Sequence, residues 1–288
     1  MNVDTSPSVF LIGTQRSGTT LLCRMLSAHP DLFVQNELNV RKIFDSSDPS
    51  VVLKNIKDQI NLEHSESLET LLARLGKRSW GLKDPELTEY LHQLEHFLPD
   101  TRFITIIRDG RAVVRSYMEN GWGLGTNAFT GAQRWRREVE KQISFADRHP
   151  DSVLVIHYEK LVLSPEIQLR RVCDFLELQF DDAMLRYHEL PAHFKIGREN
   201  ATTFGIPDSV KISQWKDQLS DRQKAVIDYV AGHTLSCLGY EIEKKGYVPG
   251  SIEQLYYRVH QAIIGEIQIQ YRWRLARFKN YIAKRLSG

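Results

Sequence analysis

A chain of 288 residues suits one α/β domain with some elaboration, or a domain of roughly 240 residues followed by a tail. Hydrophobic residues at 42% suffice for a core, and charged residues at 26% are ordinary for a soluble protein. A formal net charge of +2 gives no support for nucleic-acid binding, which needs a concentrated basic patch. Cys23, Cys173 and Cys237 lie far apart, offer neither a disulfide framework nor zinc spacing, and fit a reducing compartment. Met1 to Ser8 is polar, and Val9 to Ile12 is too short for a signal peptide or a membrane span. No later stretch approaches eighteen apolar residues, so a soluble, cytoplasmic protein is expected.

Ser8 to Ile12 is a short, continuous apolar run and reads as a buried strand. A loop with Gly13 and Gly18 follows, then a helix with Leu21, Leu22, Met25 and Leu26 on one side, ended by Pro30. Residues 50–76 read as two polar helices, and Trp80 to Leu82 as a short strand. Leu87, Leu91, Leu94 and Leu98 at 4-3-4 spacing predict an amphipathic helix over Glu86 to Leu98. Phe103 to Ile107 is a second buried strand that runs into Arg108-Asp109-Gly110-Arg111 and a helix, which Gly121, Gly123 and Gly125 break. Ala132 to Arg148 is helical, and Val153 to Ile156 is a third buried strand. Ser164-Pro165-Glu166 reads as a helix start, with a capping serine, proline at the first position and an acid near the positive end of the dipole. Residues 190–210 read as a loop, and Asp221 to Leu238 as a last core helix.

The segment Gly13-Thr14-Gln15-Arg16-Ser17-Gly18-Thr19-Thr20 sits between a strand and a helix, with the Gly-x4-Gly spacing of a Walker A loop. The lysine that reaches the β- and γ-phosphates in an ATP- or GTP-hydrolysing loop is absent; Thr19 stands there. The remaining parts suit an anion. Backbone N–H groups and the helix dipole point at it, Ser17, Thr19 and Thr20 offer hydroxyls, and Arg16 offers a forked cation. Arg16 to Leu22, followed by Ala28-His29-Pro30, resembles the 5′-phosphosulfate loop of the PAPS-dependent sulfotransferases, and within them the tyrosylprotein sulfotransferase-like branch and its bacterial relatives. The likeness runs from about Ser8 to Tyr240 and leaves the tail outside it.

The resemblance implies further site residues. Arg108 at a strand end and Ser116 eight residues on match the family's 3′-phosphate pair, with Arg111 and Arg115 adding positive charge. Glu37 is the sole acid between Asp31 and Asp45, and a glutamate at this distance after the loop is the family's proposed base. Lys83-Asp84-Pro85 matches a second motif. It would place Lys83 at the bridging oxygen or the transferring group. Asp84 is expected to cap the helix opening at Pro85, His29 to be a structural helix stop, and Glu159 in His157-Tyr158-Glu159 to be structural. Asn120 falls where animal tyrosylprotein enzymes carry a basic residue. Arg198, Lys211 and Trp215 are candidates for late contacts within Lys195 to Trp215.

The expected fold is α/β, a P-loop-like central parallel sheet with helices on both faces and a helical C-terminal extension. It divides into a sulfotransferase domain over 1–245 and a basic amphipathic tail over 246–288. The expected reaction is in-line transfer of a sulfuryl group from PAPS to an acceptor hydroxyl. Arg16 and Lys83 stabilise charge, Glu37 takes the proton, Ser17, Gly18, Thr19, Thr20, Arg108 and Ser116 hold the donor, and no metal takes part. The acceptor could be a peptide tyrosine, a carbohydrate or a small molecule. A P-loop kinase is the rival enzyme, and Thr19 in the lysine position speaks against it. A basic partner- or membrane-binding protein is the rival from another class, for which only the tail argues. Residues 252–286 interleave aromatic, aliphatic and basic side chains, a stripe that fits a homodimer contact or docking helix more readily than peripheral membrane contact.

Overall fold

The computed structural model describes residues 6–192, 203–243 and 246–286; side chains are described for these except at 276 and 279–286. Two compact units emerge. The first comprises 1–108 and 138–209, the second 109–137 and 210–288.

The first unit is built on a five-stranded sheet, β1 (Val9–Ile12), β2 (Leu32–Asn36), β3 (Ser79–Lys83), β4 (Arg102–Ile107) and β5 (Val153–His157). The spatial order is β2-β3-β1-β4-β5. Every pairing is parallel, with Leu11 opposite Lys83, Ile12 opposite Thr105, Asn36 opposite Lys83 and Ile107 opposite His157. The fold is the expected α/β one, with helices around a central parallel sheet. From β1 the chain moves outward to β2 and back to β3, then crosses to β4 on the far side. The order therefore reverses at β1, and the loops after the strands gather at one edge, where ligands bind in open α/β sheets.

Strand alternation sorts the core. Phe10, Ile12, Phe33, Trp80, Leu82 and Phe103 form one cluster with Val52, Ile56 and Ile60 of α3 (Pro49–His64) and Leu68, Leu71 and Leu72 of α4 (Leu68–Leu75). Burial of each such side chain stabilises by about 1.5–3 kcal/mol. The opposite set, which includes Leu11 and Val34, is equally buried, and α1 (Thr19–Ser27) packs on β1, β2 and β3. A four-residue helix, α2 (Val40–Ile43), links β2 to α3.

β2 is the strand that sequence reading passed over. Leu32, Phe33 and Val34 directly after Pro30 and Asp31 are its signal, and it carries the chain to Glu37. The Glu86–Leu98 segment is a correction. It forms a 3-10 turn over Pro85–Tyr90, a short α5 (Leu91–Leu94) and a second 3-10 turn over Glu95–Phe97. The leucine spacing correctly marks the buried side, since Leu87 and Leu94 are wholly covered. The i→i+3 bond from Leu87 N–H to Asp84 carbonyl starts the tighter winding.

The second unit holds α6 (Gly110–Asn120), ended by left-handed Gly121. It also holds the N-terminal part of α7 (Ala128–Arg148). In the first unit, α8 (Tyr158–Leu163) and α9 (Pro165–Phe175) follow β5. Ser164 precedes Pro165 as expected, but its side chain makes no capping bond to α9, a second correction. The second unit resumes with α10 (Val210–Ser213), α11 (Trp215–Gln218), α12 (Asp221–Cys237) and the 36-residue α13 (Ser251–Leu286). A capping box, Ser220 with Gln223, opens α12.

Candidate active site

The Gly13–Gly18 loop leaves β1 and enters α1 through Gly18, whose φ of 101° only glycine adopts readily. Tyr158, the first residue after β5, packs on it. A Cβ built at Gly18 would lie 2.4 Å from the Tyr158 ring. Gly18→Ala is therefore expected to destabilise the fold by about 1–3 kcal/mol, the scale of overpacking. A denaturant midpoint unchanged in that variant would show that the loop is not seated on Tyr158. No side chain caps α1, so its first-turn N–H groups are left for another acceptor. The Ser17 hydroxyl is fully buried and has no hydrogen-bond partner. Thr14, also buried, donates from Oγ1 to Oε2 of Glu138 on α7, which anchors the base of the loop.

Arg16 holds a left-handed φ of 71° at the apex of this turn. Arg108, at the end of β4, donates from Nη1 to the Arg16 carbonyl at 3.3 Å, and its guanidinium lies 4.3 Å from the centre of the Tyr158 ring. Burial pushes the Tyr158 hydroxyl up from its ordinary pKa, against the pull of Arg108.

Lys83 ends β3 and is wholly buried. Its ammonium donates to Glu37 Oε1 at 2.5 Å, Asn36 Oδ1 at 3.0 Å and Thr20 Oγ1 at 3.2 Å. Glu37 also donates its backbone N–H to the Lys83 carbonyl at 2.8 Å and takes a left-handed φ of 37°. Its side chain is half exposed, so one carboxylate oxygen is held while the group still meets solvent. Strained backbone at Arg16 and Glu37 marks both as places where position outweighs local stability.

Asp84 behaves as expected of a cap. Oδ1 accepts from Glu86 N–H at 2.8 Å, while Oδ2 accepts from Leu38 N–H at 3.2 Å and pins the turn that carries Glu37. Burial raises its carboxyl to about 7, although both backbone donors and Lys83 work the other way.

The structure thus brings Arg16, Ser17, Gly18, Thr19, Thr20, Glu37, Lys83 and Arg108 to the strand-end edge of one sheet. Ser116 sits on the second turn of α6 in the other unit. His29 is structural, as expected. Its Nε2 donates to Gln179 carbonyl at 2.7 Å and its Nδ1 accepts from Asp31 N–H at 3.1 Å. Glu159 lies on α8.

Three expectations change. Arg111 is not a spare charge. Asp109 grips it at 3.0 and 2.8 Å, it bonds the Glu241 carbonyl at 2.7 Å, and it stacks 4.1 Å from the Trp215 ring. Trp215, a candidate for ligand contact, is buried against that arginine. Arg115 pairs with Glu119 one turn along its own helix. Asn120 accepts from Trp122 N–H at 3.0 Å in the turn that ends α6, and Lys211 lies on α10. Lys195 and Arg198 fall outside the described residues. Glu138 and Tyr158 were missed as supports of the loop. Glu138 is 124 residues from Thr14, and no local pattern announces that contact.

Comparison with known proteins agrees with this geometry. The sulfotransferase family profile matches residues 7–182, more than half of the chain. A putative protein-tyrosine sulfotransferase of Caenorhabditis briggsae is 28% identical over 252 residues, which cover 81% of this chain and 89% of that protein. Protein-tyrosine sulfotransferase A of Caenorhabditis elegans is 30% identical over 204 residues, 65% of this chain and 54% of that protein, so this chain spans about half the length of that relative. The sulfotransferase domain of the olefin synthase of Synechococcus PCC 7002 superposes with a TM-score of 0.61 at 20% identity, over 83% of this chain and 96% of that domain, and shares the fold. From its glycine loop, its strand-end cations and this profile match, the chain belongs to the sulfotransferase family.

Proposed function

We propose that this sulfotransferase takes its sulfuryl group from PAPS and passes it in one in-line step to an acceptor hydroxyl. One observation carries the reading. Lys83 Nζ bridges Thr20 of the anion loop and the Glu37 carboxylate, so a basic group and a cation stand together beside the phosphate cradle. PAPS, when bound, supplies a sulfuryl group on a phosphosulfate linkage.

The residues present fit such a donor. The buried, unpartnered Ser17 hydroxyl and the uncapped start of α1 suit the 5′-phosphate. Arg108 and Ser116 are assigned to the 3′-phosphate, the tie from Arg108 to the loop carbonyl supporting the first. Arg16 and Lys83 stabilise the charge that builds on the leaving phosphate and the sulfuryl oxygens. Glu37 accepts the acceptor's proton as its oxygen attacks sulfur. The protein forms no covalent bond; it positions groups and supplies fixed charge, as in phosphoryl transfer. Among acceptors, a peptide tyrosine is the first to test, because two relatives at 28% and 30% identity carry that name.

Calorimetry tests the donor. The product nucleotide PAP is expected to bind more tightly than AMP, and Arg108→Ala to weaken PAP by about 1.5–3 kcal/mol, the scale of a charge-assisted hydrogen bond. Equal affinities for PAP and AMP would remove Arg108 and Ser116 from the 3′-phosphate. Transfer from labelled PAPS to tyrosine peptides, sugars and phenols then identifies the acceptor. Turnover is expected to persist in EDTA. Loss of activity restored by Mg²⁺ would favour the kinase reading.

A further inference from the structure

Helix α13 is docked through a mixed face, in which Tyr257 stacks on Phe129 and Ile269 lies against Gly123 beside the polar contacts. In the second unit, Gln261 accepts from Thr126 N–H at 2.8 Å and donates to the Gly123 carbonyl at 2.8 Å. Gln268 accepts from Gly123 N–H at 2.9 Å, and Asn127 donates to the Tyr257 carbonyl at 2.9 Å. Arg272 lies 4.3 Å from the Trp122 ring centre. Residues 257, 261, 268 and 272 share one face at helical spacing, and this face is committed to the 121–130 segment.

The other face is apolar and open. Ile252, Tyr256, Val259, Ile263, Ile267 and Tyr271 follow one another at spacings of three or four residues and are between 46% and 86% exposed. Six large apolar side chains left open along one helix are more than a solvated surface helix ordinarily presents, so the outer stripe is built for something apolar. Charge identifies the occupant. After Glu266 the chain has six cations, Arg272, Arg274, Arg277, Lys279, Lys284 and Arg285, and no acid, within a protein whose net charge is only +2. Tyr271, Trp273 and Phe278 interleave with them and are exposed. Exposed aliphatic and aromatic side chains flanked by a run of Lys and Arg are the combination that binds an anionic lipid surface.

A second copy is less well matched. A parallel pair sets six cations against six. An antiparallel pair needs acids in the first half, and those are engaged. Glu253 already accepts from Arg222, Tyr247 and Tyr257, and Glu266 from Gln270. Among the described residues no helix is long and apolar enough to cross a membrane.

We propose that α13 lies along an anionic lipid surface, with the Ile252–Tyr271 stripe in the acyl boundary and the exposed Arg274 and Arg277 at the phosphate level. Sedimentation of the full chain with vesicles tests this. Binding is expected to phosphatidylcholine vesicles containing phosphatidylglycerol, to be weak to phosphatidylcholine alone, and to fall as salt is raised. Arg274 and Arg277 are exposed, so Arg274→Gln with Arg277→Gln should leave the helix intact and lower vesicle affinity roughly thirtyfold, at about 1 kcal/mol per cation near the surface. Ile263→Ser with Ile267→Ser should also release the protein from vesicles while its circular dichroism is unchanged. A folded protein that ignores anionic vesicles, or binds neutral ones equally, overturns the proposal. So does a dimer in light scattering that the isoleucine variant dissociates and vesicles do not compete for; the stripe then belongs to a second copy.

Discussion

Replacing Glu37 with glutamine is expected to lower the transfer rate by roughly 10²–10⁴, the range for losing a general base, while PAP affinity stays within a few-fold. The substitution keeps the shape of the side chain and its hydrogen bond from Lys83, which now ends on an amide oxygen. What disappears is the ability to take a proton. The half-exposed position of Glu37, with one carboxylate oxygen held at 2.5 Å by Lys83, leaves the other to face an incoming hydroxyl. Sensitivity to the acceptor follows. A phenol already ionised at the assay pH has no proton to give and should lose less rate than an alcohol. Single-turnover transfer across pH, with PAPS saturating, checks both expectations. A variant that retains more than about a tenth of the rate takes the base role away from Glu37.

Much of this site was legible before the structure because its parts are local. A strand, a glycine turn with hydroxyls and a helix appear in order within Val9 to Ser27, and each leaves a short sequence signature. Arg108 and Lys83 each sit at a strand end, which parallel α/β topology sends to a common edge. The supports were not legible. Glu138 reaches Thr14 from the middle of a 21-residue helix, and Tyr158 braces Gly18 from the end of the fifth strand. Such contacts depend on packing between distant segments, which no period or cap encodes. Arg111 shows the converse error. Its sequence neighbours make it look like one more free cation, whereas Asp109 two residues earlier turns back to neutralise it and Trp215 covers it. The tail was read correctly as helical, basic and aromatic. Which side it buries could not be read, because the face that meets the 121–130 segment mixes glutamines with Tyr257 and Ile269.

Lys83→Met is the complementary variant, and it is expected to cost more catalysis than stability. Removal of one member of a buried pair is severe when the survivor is left charged and dry, about 3–5 kcal/mol. Here the survivor is Glu37, which is half exposed and can be hydrated, so the loss falls mainly on Asn36 and Thr20. Two lost hydrogen bonds amount to about 1–3 kcal/mol, and methionine fills most of the vacated volume. The rate is expected to fall roughly 10²–10³, the scale for removing one fixed donor from a developing negative charge. Acceptor pKa separates the two variants. With Lys83 in the proposed role, at the sulfuryl and leaving oxygens, Lys83→Met should slow ionised and neutral acceptors alike, where Glu37→Gln spares the ionised one. Because the side chains touch, their effects should not add. If Lys83→Met still transfers at the wild-type rate, Lys83 has no part in charge stabilisation and Glu37 does not need it as a holder. If both variants lose rate in the same acceptor-dependent way, the pair acts as one base and the charge stabilisation falls to Arg16 and the loop N–H groups.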